Sequence, residues 1–299
     1  SECGDIIDCV DIYKQPSLQN ALLRDHKIQL KPTKEPPKIL HKLKGRNYSF
    51  PEQTWRRSGS CPEGTIPIRR KPTSADDEAA KRSLPFFSYA HPTDAAIKDE
   101  GKGKLEVYPS VLGDDNPRLY IYATNDGGEK SHCINHECGF IQTNNQFALG
   151  TMFRDSDSRV GGDLYFVTVA LYRATGPAVW WLSINEVPIG YFDPNMFPVP
   201  FIESFHNEMG GRVLDTRPGG RHTLTPMGSG MYASAGANNA ATIAYYLAVN
   251  KNGGDQVDDP VNTIVTTAKC YDVKNLGPDR DHPGTDVAYG GPGGYYCDQ

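Results

Sequence analysis

The chain has 299 residues, 22 % charged and 38 % hydrophobic, with a net charge of −5. That length and composition suit one large core, or one core with an appendage, and exclude a disordered chain. The weak net charge gives no electrostatic case for nucleic acid or an anionic membrane, and no apolar run approaches about 18 residues, so no membrane span is expected. Thirty Gly, 23 Pro and 16 Tyr point away from a helical bundle and towards turn-rich β-structure. Residue 1 opens no signal peptide, so the numbering is expected to start at a mature or engineered end.

Residues 1–35 hold one predicted helix, with Ser17 as N-cap, Leu18, Leu22 and Leu23 at helical spacing, and His26 and Lys27 at its C-terminal end. Residues 31–60 are rich in Pro and Lys and read as irregular. They carry one sequon, Asn47-Tyr48-Ser49, a glycosylation candidate on a surface loop. Cys61-Pro62-Glu63-Gly64 begins a turn that runs on to the dibasic pair Arg69-Arg70. Ser74 to Arg82 is polar and charged, reads as a linker, and offers a second basic processing site at Lys81-Arg82.

From about residue 85 the pattern changes to short strands. Leu105 to Tyr108 alternates, and Arg118 to Thr124 is a strong strand candidate. Gly139 to Gln142 and Gln146 to Gly150 flank Asn144-Asn145 as a hairpin. Asp163 to Tyr172 is the best strand by pattern, followed by Ala178 to Ile184 and Val187 to Phe192. Strands at roughly 8–12-residue spacing with Gly- and Pro-rich turns predict an all-β fold, an antiparallel β-sandwich. The predicted division is a small N-terminal segment over 1–70 containing a short helix, a charged linker over 71–84, and the β-sandwich over 85–299.

There are seven cysteines: Cys3, Cys9, Cys61, Cys133, Cys138, Cys270 and Cys297. Six at scattered spacing with one left over fit an oxidising compartment, so a secreted protein, extracellular or vacuolar, is expected. Cys3 is the odd one, either free or competing with Cys9 for Cys61. His132-Cys133 and His136 with Cys138 fit a zinc cluster by residue type, and a tight disulfide loop equally. Gly228-Ser229-Gly230 lacks the spacing of a nucleophile elbow and reads as a close backbone approach. His206, Asp215 and His222 show no triad order and read as loop residues. No cofactor or metal is called for.

Cys9 to Pro16 and Cys61 to Arg70 together resemble the activation-peptide region of the neprosin family, plant secreted proteins that include glutamic peptidases. The remainder resembles the neprosin domain in ordered stretches: Val107-Tyr108-Pro109, Arg118 to Tyr122, Cys133 to Asn145, Gly176 to Leu182, Gly190-Tyr191-Phe192, Met209-Gly210-Gly211, Pro226 to Gly230 and Tyr289 to Gly293. The resemblance implies two stacked antiparallel sheets with a cleft across one face. It also implies disulfides Cys9–Cys61, Cys133–Cys138 and Cys270–Cys297, and a pro-segment packed on the sandwich that blocks the cleft until acid releases it. The implied activity is acid-activated peptidase cleavage on the carboxyl side of proline. Trp180, Trp181 and Tyr191 are the cleft candidates, with at least one Trp ring in the core, and a peptide or glycan is the implied ligand class.

That activity needs one ionised and one protonated carboxyl facing each other. The family places its glutamates just before the Val-Tyr-Pro match and after a Trp-Gly-Gly triplet. The corresponding residues here are Lys102 and Arg212. The chain is also shorter than the family before Leu105, near 90–104, which is expected to open a sheet edge unless another element covers it. Glu106 and Glu208, each four residues from a lost glutamate, are the candidate substitutes if the chain is a working prolyl endopeptidase. The favoured reading is a pseudoenzyme: a binding, inhibitory, storage or defence protein.

Overall fold

The computed structural model describes residues 4–35, 48–70, 100–106, 118–124, 133–153, 158, 160–197, 200–202, 209–213, 224–249, 255–256, 262–278, 284–294 and 297. In chain order the strands are β1 (Ile7–Asp11), β2 (Tyr48–Ser49), β3 (Thr65–Arg69), β4 (Glu100–Glu106), β5 (Arg118–Thr124), β6 (Cys133–Ile134), β7 (Ile141–Gln142) and β8 (Leu164–Tyr165). They continue with β9 (Val169–Arg173), β10 (Trp180–Ile184), β11 (Val187–Phe192), β12 (Ala241–Tyr246), β13 (Ala248–Val249), β14 (Asp255–Gln256), β15 (Asp272–Pro278) and β16 (Thr285–Gly290). Helical segments among the described residues are short 3-10 turns, and all ladders but the short β2–β8 pair are antiparallel. The fold is all-β.

The chain divides into two compact units. The first takes residues 1–44, 50–156 and 166–204, and the second 45–49, 157–165 and 205–299. In the first unit a four-stranded sheet runs β7-β11-β10-β9 and a three-stranded sheet runs β4-β5-β6. Alternation along β5 sends Leu119, Ile121 and Ala123 into one apolar cluster. Trp180, Leu182 and Ile184 of β10 and Ile189 of β11 enter the same cluster, so both sheets feed it. The opposite face of the four-stranded sheet carries Ile141, Val179, Trp181 and Tyr191, which bury against Leu18, Leu23 and Ile28 from the N-terminal segment.

The N-terminal segment is itself organised by the antiparallel β1–β3 ladder and the Cys9–Cys61 disulfide. The single helix expected after Ser17 is instead a series of 3-10 turns, Ile12–Lys14, Pro16–Gln19 and Ala21–Leu23. Asn20 is the reason: its backbone is extended and its side chain accepts the Leu22 N–H at 3.0 Å, so each turn stops and restarts. Ser17 lies inside a turn and donates its hydroxyl to the Phe140 carbonyl rather than capping.

Two further expectations are corrected. The hairpin across Asn144-Asn145 does not form. Asn144 Oδ1 accepts the Gln146 N–H, β7 pairs with β11, and residues 148–150 spend their backbone groups on other partners. The strand expected over Asp163 to Tyr172 is two strands. Leu164–Tyr165 pairs with Tyr48–Ser49, whereas Val169–Arg173 pairs with β10. Asn185 interrupts it by accepting the Thr168 N–H and donating its own N–H to the Thr168 carbonyl.

Two glutamines fasten the N-terminal segment to residues 141–153. Gln15 Oε1 accepts the Gln142 N–H at 2.9 Å while its Nε2 donates to the Gln142 carbonyl at 3.1 Å. Gln53 does the same to Ala148, at 2.7 and 2.9 Å, and its Oε1 also takes the Trp55 indole N–H at 2.9 Å. Each buried amide thus satisfies a backbone donor and acceptor, and the Ala148 carbonyl also accepts the Thr151 hydroxyl at 2.9 Å. Gln53→Ala is expected to cost about 2 kcal/mol in urea unfolding, because it takes the acceptor from the buried Ala148 N–H and the Trp55 indole N–H. A loss below about 0.5 kcal/mol would contradict that role.

The second unit holds the β12-β16-β15 sheet, the short β2–β8 and β13–β14 pairs, and the Cys270–Cys297 bridge. Ser229 sits in a tight turn there. Its hydroxyl donates to the Asn239 carbonyl at 2.6 Å and accepts the Met231 N–H at 3.3 Å, a structural role.

Candidate functional site

The face beneath the N-terminal segment is aromatic. Trp181 is fully buried and its ring lies 4.9 Å from that of Tyr191. Residues 26–29 grip the Tyr191 hydroxyl. The Gln29 N–H donates to it at 2.9 Å and the His26 Nε2 lies 2.7 Å away. Burial pushes the Tyr191 phenol up to about 12, against the opposing Gln29 bond, so it keeps its proton. On the other side of the ring, His26 Nδ1 lies 3.4 Å from the Asp193 carboxylate.

Trp180, on the other face of β10, is core: it stacks on Phe201 at 5.0 Å and donates its indole N–H to the Phe201 carbonyl at 2.6 Å. Both tryptophans are therefore buried in the intact chain, Trp180 among the residues of both sheets and Trp181 under the N-terminal segment.

At the far end of the β1–β3 ladder an ion cluster joins the segment to β5. Arg118 Nη1 lies 2.9 and 3.2 Å from the two Asp5 carboxylate oxygens and 2.7 Å from the Gly150 carbonyl. Arg69 Nε donates to Asp5 Oδ1 at 2.7 Å. Arg70 pairs with Asp8, which holds the Asp8 carboxyl below its usual range, and its N–H donates to the Ile6 carbonyl. Arg69 and Arg70 are thus tied to residues 5–8 by side chain and backbone. Asp5 and Arg118 stand 113 residues apart in no local pattern, and nothing in the sequence could have paired them.

Lys102 stands in β4 at the register position opposite Tyr122, and Glu106 opposite Arg118. Arg212, in the second unit, is exposed and follows Gly211, where a Cβ would come within 2.5 Å of the Tyr289 ring and 2.7 Å of Met227. A side chain at position 211 would have to displace the Tyr289 ring and Met227. Glu208, Asn47, Lys81, Arg82, Cys3, His132, His206, Asp215 and His222 lie outside the described residues.

Cys133 is bonded to Cys138, which consumes the thiols a zinc site would need. Their neighbour His136 is buried and hydrogen-bonded to Gln142 Oε1 at 3.1 Å. Burial lowers its pKa to about 4, partly offset by that bond, so it is neutral near pH 7. Among the described residues no group of three or more His, Cys, Asp or Glu is placed to hold a metal, and no helix is long and apolar enough to cross a membrane.

The cysteine frame and the N-terminal segment packed on a β-sheet body agree with what comparison of the chain with family models finds. The neprosin activation peptide matches residues 1–100 and the neprosin domain matches residues 103–292. Together they span nearly the whole sequence, and the chain belongs to the neprosin family.

Proposed function

We propose that this chain is a secreted, non-catalytic member of its family, a binding, inhibitory, storage or defence protein that retains the fold and has lost the acid pair. The observation that carries this is the identity of the two residues at the catalytic positions, Lys102 and Arg212. Both assignments come from the resemblance; Lys102 stands in β4 opposite Tyr122, and Arg212 follows Gly211. In this reading residues 1–70 form the pro-segment, 71–84 a linker and 85–299 a β-sandwich that takes a peptide or glycan. Three disulfides suit the oxidising compartment that secretion implies.

A working peptidase would need Glu106 and Glu208 as relocated acids. Glu106 stands opposite Arg118 in the β4–β5 ladder. The test is self-processing. Highly purified chain held at pH 3 is expected to stay intact on a denaturing gel and by mass. Release of a fragment ending near Arg70 or Arg82 would overturn the proposal.

A further inference from the structure

We propose that the outer edge of β9 is an interaction surface for a second copy of this chain, which adds its own β9 antiparallel across a two-fold axis at Leu171. The proposal goes beyond the functional reading above and holds whether or not the chain cleaves peptides.

The four-stranded sheet ends at β7 on one side and at β9 on the other, and the two edges are treated differently. On β7 the outward N–H and C=O of Gln142 are both taken by the Gln15 side chain, at 2.9 and 3.1 Å, so that edge is closed to another strand. On β9 no such cap is present among the described residues. The Thr168 carbonyl accepts the Asn185 N–H, and the Ala174 N–H donates to the Val179 carbonyl. These bonds fix the phase of the β9–β10 ladder. Even-numbered residues bond β10, and the N–H and C=O groups of Val169, Leu171 and Arg173 point away from it. Their side chains lie on the sheet face that carries Trp180, Leu182 and Ile184, yet Val169 and Leu171 are 51 % and 45 % exposed. The strand holds no Pro, Lys or acidic residue, the devices that usually blunt an edge.

Self-complementarity names the occupant. With the axis at Leu171, Val169 of each copy stands opposite Arg173 of the other, and Leu171 opposite Leu171. Every outward group then meets an outward group, and about six backbone hydrogen bonds form. Sliding the partner by two residues loses one of the three pairs. On the other face each Ala170 stands opposite a Tyr172, small against large. The strand's single charge, Arg173, is held roughly 14 Å along the strand from its counterpart, and its aliphatic stem covers Val169. Each β9 edge is consumed by the other, so the pairing closes as a dimer and does not propagate as a fibre.

The test is sedimentation velocity of the full chain. One strand pair is small beside a standard interface, so the dimer is expected to appear between about 2 and 200 µM. Leu171→Lys sets two ammonium groups against each other at the axis and is expected to stay monomeric over that range. Because Leu171 is half exposed, the variant is expected to melt with dilute wild type. Amide exchange gives a second reading in wild type alone. The Val169, Leu171 and Arg173 N–H groups are expected to slow at least about tenfold at the higher concentration, while Ala170 and Tyr172, already bonded to β10, do not change. Should Leu171→Lys not fold, this alternating pattern decides alone. A wild type that stays monomeric at about 200 µM overturns the proposal, as does a dimer that Leu171→Lys leaves intact or in which the three amides exchange as in the monomer. Capture of an unrelated extended peptide on β9 by a wild type that stays monomeric would assign the edge to a different strand and likewise overturn it.

Discussion

Acidification from pH 6.5 to pH 4 is expected to cost the first unit about 3 kcal/mol through His136 alone. His136 is buried in the Asn135–Cys138 turn with Gln142 as its ring partner. Its pKa falls from 6.5 to about 4, chiefly because burial disfavours the charged ring. The folded state therefore binds fewer protons than the unfolded state across that window. Stability is full above pH 6.5, declines as the pH drops, and stops declining near pH 4, where both states are protonated.

The loss falls on the contact that holds the N-terminal segment. The His136 turn packs on the Pro16–Gln19 turn, and Gln142 bonds both His136 and Gln15. Urea midpoints at pH 7, 5 and 4 measure the effect. His136→Gln keeps a polar partner for Gln142 and removes the titration, so its slope between pH 6 and 4.5 is expected to be shallower by about 1.4 kcal/mol per pH unit. Equal slopes for variant and wild type would show that His136 does not titrate in this window.

The second large effect is an absence of chemistry. Hydrolysis by paired carboxyls needs a group that accepts a proton from water and one that donates to the scissile carbonyl near the working pH. Lys and Arg stay protonated below about pH 10, so neither activates water in acid. The chain is expected to release no product from a proline-containing peptide at any pH between 2 and 7. Substituting Lys102→Glu together with Arg212→Glu is not expected to recover activity, because the chain before Leu105 is shorter than the resemblance requires.

Where side chains alternate along one strand, the sequence was legible. Arg118–Thr124, Trp180–Ile184 and Val187–Phe192 are strands as their patterns predict. The disulfides join the sequential pairs because each links neighbouring parts of one unit. What failed was local competition by asparagine. Asn20 divides a predicted helix, Asn144 turns a predicted hairpin and Asn185 breaks the longest predicted strand, each through side-chain bonds to backbone that periodicity does not register. The contacts of the candidate site were illegible for a different reason. Asp5–Arg118, Gln15–Gln142 and Gln53–Ala148 join residues about a hundred positions apart, and single polar residues carry no pattern. Trp181 and Tyr191 were visible as aromatic residues, but their cover by Leu18, Leu23 and Ile28 depends on how the turns after Ser17 fold.

The measurement that bears most directly on the loss of catalysis is digestion of a proline-rich peptide by wild type and by a Glu106→Gln, Glu208→Gln double variant across pH 2–7, read by mass spectrometry. Neither protein is expected to cut the peptide. Cleavage after proline by wild type, abolished in the double variant, would contradict the account and place the working acids at Glu106 and Glu208.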